Sequence, residues 1–145
     1  MSDGSPDMPR QPLYALSIKQ PWAGLILAGL KTIEIRRWTT HLRGPIWLHV
    51  ARVDDPAESG WGRVDPVIRP LSQLRGGIVG IVDIDSVVTY TTPEAFAEGQ
   101  PAHFNDPSWF VAPKMYGLVL KDPEAVDFRK LAGQVRLFRV SAPES

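Results

Sequence analysis

Ser17-Ile18-Lys19-Gln20-Pro21-Trp22-Ala23-Gly24-Leu25-Ile26-Leu27-Ala28-Gly29-Leu30-Lys31-Thr32-Ile33-Glu34-Ile35-Arg36 changes its hydrophobic period in mid-course, and that change decides the fold. Tyr14 to Ile18 alternates as a short first strand does. Pro21 suits the first helical position, because its φ is already helical and its missing N–H costs nothing there. Trp22, Leu25 and Ile26 then fall at i, i+3 and i+4 on one helical face. Gly29 is placed to end this helix of about two turns in a left-handed conformation. From Thr32 the period becomes two. Ile33 and Ile35 point one way, while Thr32, Glu34, Arg36 and Trp38 point the other. The reading is strand, helix 21–28, strand.

Outward from this unit, Arg43-Gly44-Pro45 punctuates the chain. Ile46 to Ala51 reads as a third strand, with Trp47 and His49 opposite Ile46, Leu48 and Val50. Residues 52–75 are rich in Pro, Asp and Arg and give weak helical hints. Gly77 to Tyr90 is the longest strand-like stretch, with Gly80 marking a bulge or bend. Thr92-Pro93-Glu94 opens a short helix ending at Gly99, and residues 100–113 read as a loop. Tyr116–Leu120 and Val135–Val140 read as closing strands. The expected fold is mostly β with short helices (α+β), a small barrel or half-barrel. It forms a single domain over 13–141, with a flexible tail at 1–12 and a short tail at 142–145.

Composition narrows the class. Fourteen prolines in 145 residues exclude an all-helical bundle, since each removes a donor and clashes one turn back. The absence of cysteine excludes disulfides, thiolate zinc sites and cysteine nucleophiles. His41, His49 and His103 lack metal-ligand spacing, and no phosphate-binding loop or dinucleotide fingerprint is present. No metal and no cofactor is therefore expected. The apolar run from Trp22 to Leu30 is far shorter than the roughly 20 residues that cross a bilayer. The acidic, proline-rich start is unlike a signal peptide. These features lead to the expectation of a soluble, cytoplasmic protein with no membrane partner. Net charge is zero, so a wholesale phosphate-coating protein is excluded. Lys19, Lys31, Arg36, Arg37 and Arg43 nevertheless face Glu34 alone between Leu13 and His49, which suits one local anion-binding cleft.

Glu34 and Arg36 project from the same strand face, next to Lys31 at the helix exit. With Trp22 they would line one cleft with an aromatic ring, a cation, an acid and a guanidinium. Those are the groups that stack a base, read its edge and contact a phosphate. The plainer alternative is a solvated strand face whose Glu–Arg pair contributes about 0–1 kcal/mol. Trp22 would then be a core anchor. Arg37 shares the parity of Ile33 and Ile35, so it is expected to pair structurally. His49 suits either a satisfied, partly buried histidine or a ligand contact. Trp38, Trp47 and Trp61 are expected to pack rather than stack.

Ser17-Ile18-Lys19-Gln20-Pro21-Trp22-Ala23, Leu25-Ile26-x-x-Gly29 and Lys31-Thr32-Ile33-Glu34-Ile35-Arg36 together resemble the signature of ASCH (activating signal cointegrator homology) domains, of the PUA-like superfamily of small β-barrels. Arg43 to Ala51 and Tyr116 to Asp122 fit as well, so the resemblance covers about residues 14–140. The chain departs at its end. Leu118 stands where members often carry tryptophan, and Gly133 to Phe138 replaces a closing Gly-x-x-Gly-Leu-Trp. The resemblance implies a cleft between the first helix and the sheet that recognises RNA, or a nucleotide or nucleoside, through Lys19, Gln20, Trp22, Lys31, Thr32, Glu34, Arg36 and His49. The alternative it implies is a small hydrolase, acting on acylated cytidine or as a ribonuclease. Lys31 would then be nucleophile or base and Glu34 a proton shuttle. The amidohydrolase branch has threonine where Glu34 stands, and Asp83 and Asp85 are the candidates for its second acid. A lysine acts as base only if its pKa falls well below about 10.4, and a carboxylate partner pushes it upward unless burial outweighs the pairing. Facing a cleft, Glu34 is expected to tolerate Glu34→Gln within about 1 kcal/mol.

Overall fold

A computed structural model describes residues 11–141. Most of the expected tail at 1–12, and all of that at 142–145, lie outside them. The elements are β1 (Tyr14–Ile18), α1 (Trp22–Leu27), β2 (Ile33–Arg36), β3 (Gly44–Val50), α2 (Glu58–Trp61), β4 (Gly77–Tyr90), α3 (Pro93–Glu98), α4 (Gln100–His103), β5 (Met115–Lys130) and β6 (Leu137–Arg139). Single 3-10 turns occupy Leu71–Gln73 and Pro107–Trp109.

The six strands form one sheet in the order β2-β5-β4-β3-β1-β6. Only β1 and β3 run parallel, with α1 and β2 in the connection between them. The sheet curls without closing, since β2 and β6 remain its edges, so it is a half-barrel rather than a sealed barrel. Its curvature comes from β4 and β5, whose register shifts between Ile78 and Gly80, Ile81 and Asp83, and Ile84 and Ser86. Each extra residue bends and twists a strand locally, and the break at Gly80 is the one its glycine suggests.

The concave side holds the main core. Leu16, Ile18, Leu25, Ile26, Ile46, Leu48, Val82, Ile84 and Leu118 are all buried there. Leu118 and Phe138, which replace expected tryptophans, are both in the core. A smaller cluster joins Ile35, Tyr90, Phe96 and Met115.

Pro21 is the residue before α1, one position earlier than expected. Gln20 supplies the missing cap. Its Oε1 accepts from Gly24 N (3.0 Å), and its Nε2 donates to Leu71 O (2.8 Å) and Leu74 O (2.9 Å). The side chain thus starts the helix and ties it to the distant 71–74 turn. At the other end Gly29 has φ +79°, and both Leu30 N and Lys31 N donate to Leu25 O. This left-handed exit leaves Leu30 49% exposed and turns Lys31 inward, where it is only 1% exposed.

Three other expectations change. The 100–113 stretch contains α4 and a 3-10 turn, β2 is shorter than 32–38, and β5 extends ten residues past Leu120 to Lys130. The charged, proline-interrupted tail of β5 lacks alternation, yet it pairs with β4 on either side of these register shifts. Thr92 caps α3 through its hydroxyl, as its sequence implies.

Gln20→Ala should destabilise the protein by about 2–4 kcal/mol, because it orphans two carbonyls and an amide N–H in a buried place. Urea denaturation measures this, and a loss below about 0.5 kcal/mol would mean that water replaces the amide.

Candidate functional site

The left-handed exit of α1 carries Lys31 beneath the sheet edge, where Nζ meets acceptors from three segments. It donates to the His103 carbonyl at the end of α4, lies 3.4 Å from Asn105 Oδ1, and is 3.6 Å from Glu34 Oε1. It also stands 4.8 Å from the centroid of the Trp22 ring. Burial pulls this ammonium down to about 8, with Glu34 opposing the shift. Burial therefore outweighs pairing. His103, stacked on Phe96 at 4.3 Å, donates through Nε2 to Phe96 O (2.7 Å) and accepts from Asn105 N at Nδ1 (3.0 Å). Its pKa is lowered, chiefly by burial, so no second cation forms beside Lys31.

Glu34 links this buried charge to the surface. Its Oε2 accepts from Arg36 Nε (3.2 Å) and Nη2 (3.0 Å), and the same Nη2 donates to Ser17 O (2.9 Å). The parity that places Glu34 and Arg36 on one face is seen, but Glu34 is only 7% exposed and is no surface group. The expectation of a cost within 1 kcal/mol for its neutralisation is corrected on that ground.

Above this network lies a cleft of about 600 Å³, within the size range of small-ligand sites. Lys19, Arg36, Arg37 and Arg136 line it together with the carboxylates of Glu34 and Asp55. Its aromatic walls are Trp22, Trp38 and Trp109. Trp22 donates Nε1–H to Asp55 Oδ2 (2.8 Å) and meets Trp109 edge-on at 6.3 Å. Trp109 is 37% exposed. Trp38 has Arg36 5.9 Å from its ring.

The structure brings Lys19, Trp22, Glu34 and Arg36 to this cleft. Lys31 lies behind the wall and does not line it. Gln20 is fully buried as the α1 cap. Thr32 is exposed just before β2 and does not line the cleft, its backbone bonded to Ala102 and Leu120. His49 is 1% exposed and lies away from the cleft, with Nδ1 on Ser17 Oγ (2.9 Å) and Nε2 on Leu131 O (2.6 Å). Asp83 and Asp85 sit on β4 outside the cleft, where Asp85 pairs with Lys121 at 3.1 Å. Trp47 and Trp61 pack, donating to Pro12 O and Asp55 O. Arg37 enters the cleft because β2 ends at Arg36 and the strand parity ends with it.

Sequence reasoning missed Asp55, Asn105, Trp109 and Arg136, which arrive on loops brought here by tertiary packing. Asp55 had one available signal. Its backbone N donates to Gln20 O, so it sits beside the motif, and Asp-Asp-Pro-Ala at 54–57 is a turn former. Among the described residues no cluster of His, Asp and Glu suits a metal, and no helix is long and apolar enough to cross a membrane.

The family model of the ASCH domain matches residues 16–127. Activating signal cointegrator 1 of Homo sapiens is 46% identical over 35 residues, which span 24% of this chain and 6% of that protein. The Mus musculus counterpart matches to the same extent. Crystal structures of the ASCH protein of Zymomonas mobilis share the fold. The unsubstituted form superposes with a TM-score of 0.60 at 16% identity, covering 88% of this chain and 87% of that one. A point variant of it gives 0.61 at 15% identity over 92% of each chain.

Glu34→Gln should cost about 2–4 kcal/mol, because it leaves a buried ammonium and a half-buried guanidinium without their shared anion. Chemical denaturation checks this, and an unchanged midpoint would mean that Glu34 is solvated.

Proposed function

The chain belongs to the ASCH domain family, a PUA-like fold often linked to RNA binding, and from that premise we propose that it binds RNA by holding one unstacked nucleotide in the cleft between α1 and β2. The observation that carries this reading is the make-up of the cleft: a tryptophan face, four cations and two carboxylates around about 600 Å³. Trp109 is the stacking platform for the base, since every base has a π-face and stacking contributes about 1–3 kcal/mol. The carboxylate oxygens of Glu34 and Asp55 accept from base N–H groups at the floor. Lys19, Arg37 and Arg136 take the flanking phosphates, while Arg36 is held by Glu34 and Ser17.

The binding reading is favoured over hydrolysis by the position of Lys31. Its lowered pKa suits a base, but its side chain is 1% exposed and Nζ faces acceptors from three segments of the protein rather than the cleft. Lys31 therefore acts as a positioning residue. It fixes His103, Asn105 and Glu34 so that the cleft is formed before the ligand arrives, and less ordering is needed on binding.

Titration of the intact protein with short single-stranded RNA, followed by tryptophan fluorescence, tests this. Trp109→Ala should lower affinity about tenfold in protein that circular dichroism shows to be folded. With three or four phosphate contacts, log K against log salt should have a slope near −2 to −3. A slope steeper than about −6 would move the binding surface onto the arginines at 52, 63, 69 and 75. Unchanged binding by Trp109→Ala would remove the stacking role.

A further inference from the structure

Beside the cleft, across a strap of residues 131–136, lies a second cavity of about 480 Å³. Ser17, Ala51, Gln134 and Val135 line both cavities, so they adjoin along one edge. The strap is fixed at its start. Leu131 N donates to Gly76 O (3.1 Å), and Leu131 O lies 2.6 Å from His49 Nε2. A carbonyl can only accept, so Nε2 carries the proton and donates to it, while Nδ1 lies 2.9 Å from the Ser17 hydroxyl. His49 serves as the strap's anchor. Gly133 closes over its imidazole, where a Cβ would come within 2.6 Å of Cε1. No larger residue could lie so close.

The two cavities differ in charge. The first mixes four cations with two carboxylates. The second has Arg52 and, among its described lining residues, no acid. Arg52 is exposed at the second cavity's rim, its stem passing beside Gly76. A cation without a competing carboxylate, one cavity's width from a nucleotide site, matches the next phosphate along a nucleic-acid strand.

We propose that the second cavity receives the neighbouring nucleotide of the same RNA strand, with its phosphate against Arg52, so that the shortest complete ligand is a dinucleotide. The backbone crosses between the cavities at Ser17 and Gln134, under the exposed Val135. This inference rests on the reading of the first cleft as a nucleotide site.

The test compares ribonucleoside 5′-monophosphates with 5′-phosphorylated ribodinucleotides by calorimetric titration of the full chain. The best dinucleotide should bind at least about tenfold more tightly than its monophosphate. Arg52→Gln should abolish that gain and leave monophosphate affinity unchanged. Ala132→Glu, which places a carboxylate at an exposed position of the second cavity, should do the same. A monophosphate that binds with no gain for any dinucleotide, or a gain that survives both substitutions, overturns the second site alone. If neither ligand class binds, the first cleft's reading falls and this one falls with it.

Discussion

A buried ammonium organises this molecule. Taking a lysine charge out of water costs several kcal/mol even after relaxation, so it persists only where partners surround it. The partners of Lys31 come from the end of α4, the loop after it and β2, with the Trp22 ring of α1 alongside. Three of those four segments, α1, β2 and the loop after α4, also line the cleft. Glu34 then passes the connection outward to Arg36, and Arg36 to the Ser17 carbonyl on β1. One chain of charges thus crosses from the interior to the cleft. It joins β2, at one edge of the sheet, to β1, next to the other edge, two strands that share no backbone pairing. The open side of the half-barrel is bridged by side chains instead.

This arrangement separates two jobs that the motif residues would otherwise share. Residues whose hydrogen bonds are filled by the protein hold shape: Gln20 at the helix start, Lys31 beneath the wall, and His49 under the strap. The proposed binding reading uses the cleft residues that lack such saturation, Trp109, Lys19 and Arg37, together with the carboxylates. The cleft is therefore rigid underneath and polar on top. That combination suits recognition of a small, charged aromatic ligand.

Local patterns were legible in the sequence, and long-range partners were not. The period change at Thr32 placed Glu34 and Arg36 on one face, and Trp22, Leu25 and Ile26 were readable as a buried helix face. Thr92 and Gly77–Tyr90 carried their structure in their own residue types. The burial of Lys31 carried no such mark, because it depends on the left-handed turn at Gly29 and on acceptors more than seventy residues away. Gln20 and His49 looked like ligand contacts for the same reason, since the carbonyls that saturate them lie 51 and 82 residues distant. The long arm of β5 was hidden because a strand paired at its backbone but exposed on its faces needs no hydrophobic alternation. The cleft's loop residues had no periodicity to betray them.

The most direct test is to titrate the Lys31 side chain by nitrogen-detected NMR in the intact protein. A lysine held under the cleft should show a midpoint of about 8, with slowly exchanging ammonium protons. Between that value and the ordinary 10.5, the folded state binds fewer protons than the unfolded chain, so stability should rise with pH across that window. Below about 8 the burial cost is present in full. A midpoint near 10.5 with rapid exchange would contradict the account, because Lys31 would then be a solvated side chain of the cleft and not its foundation.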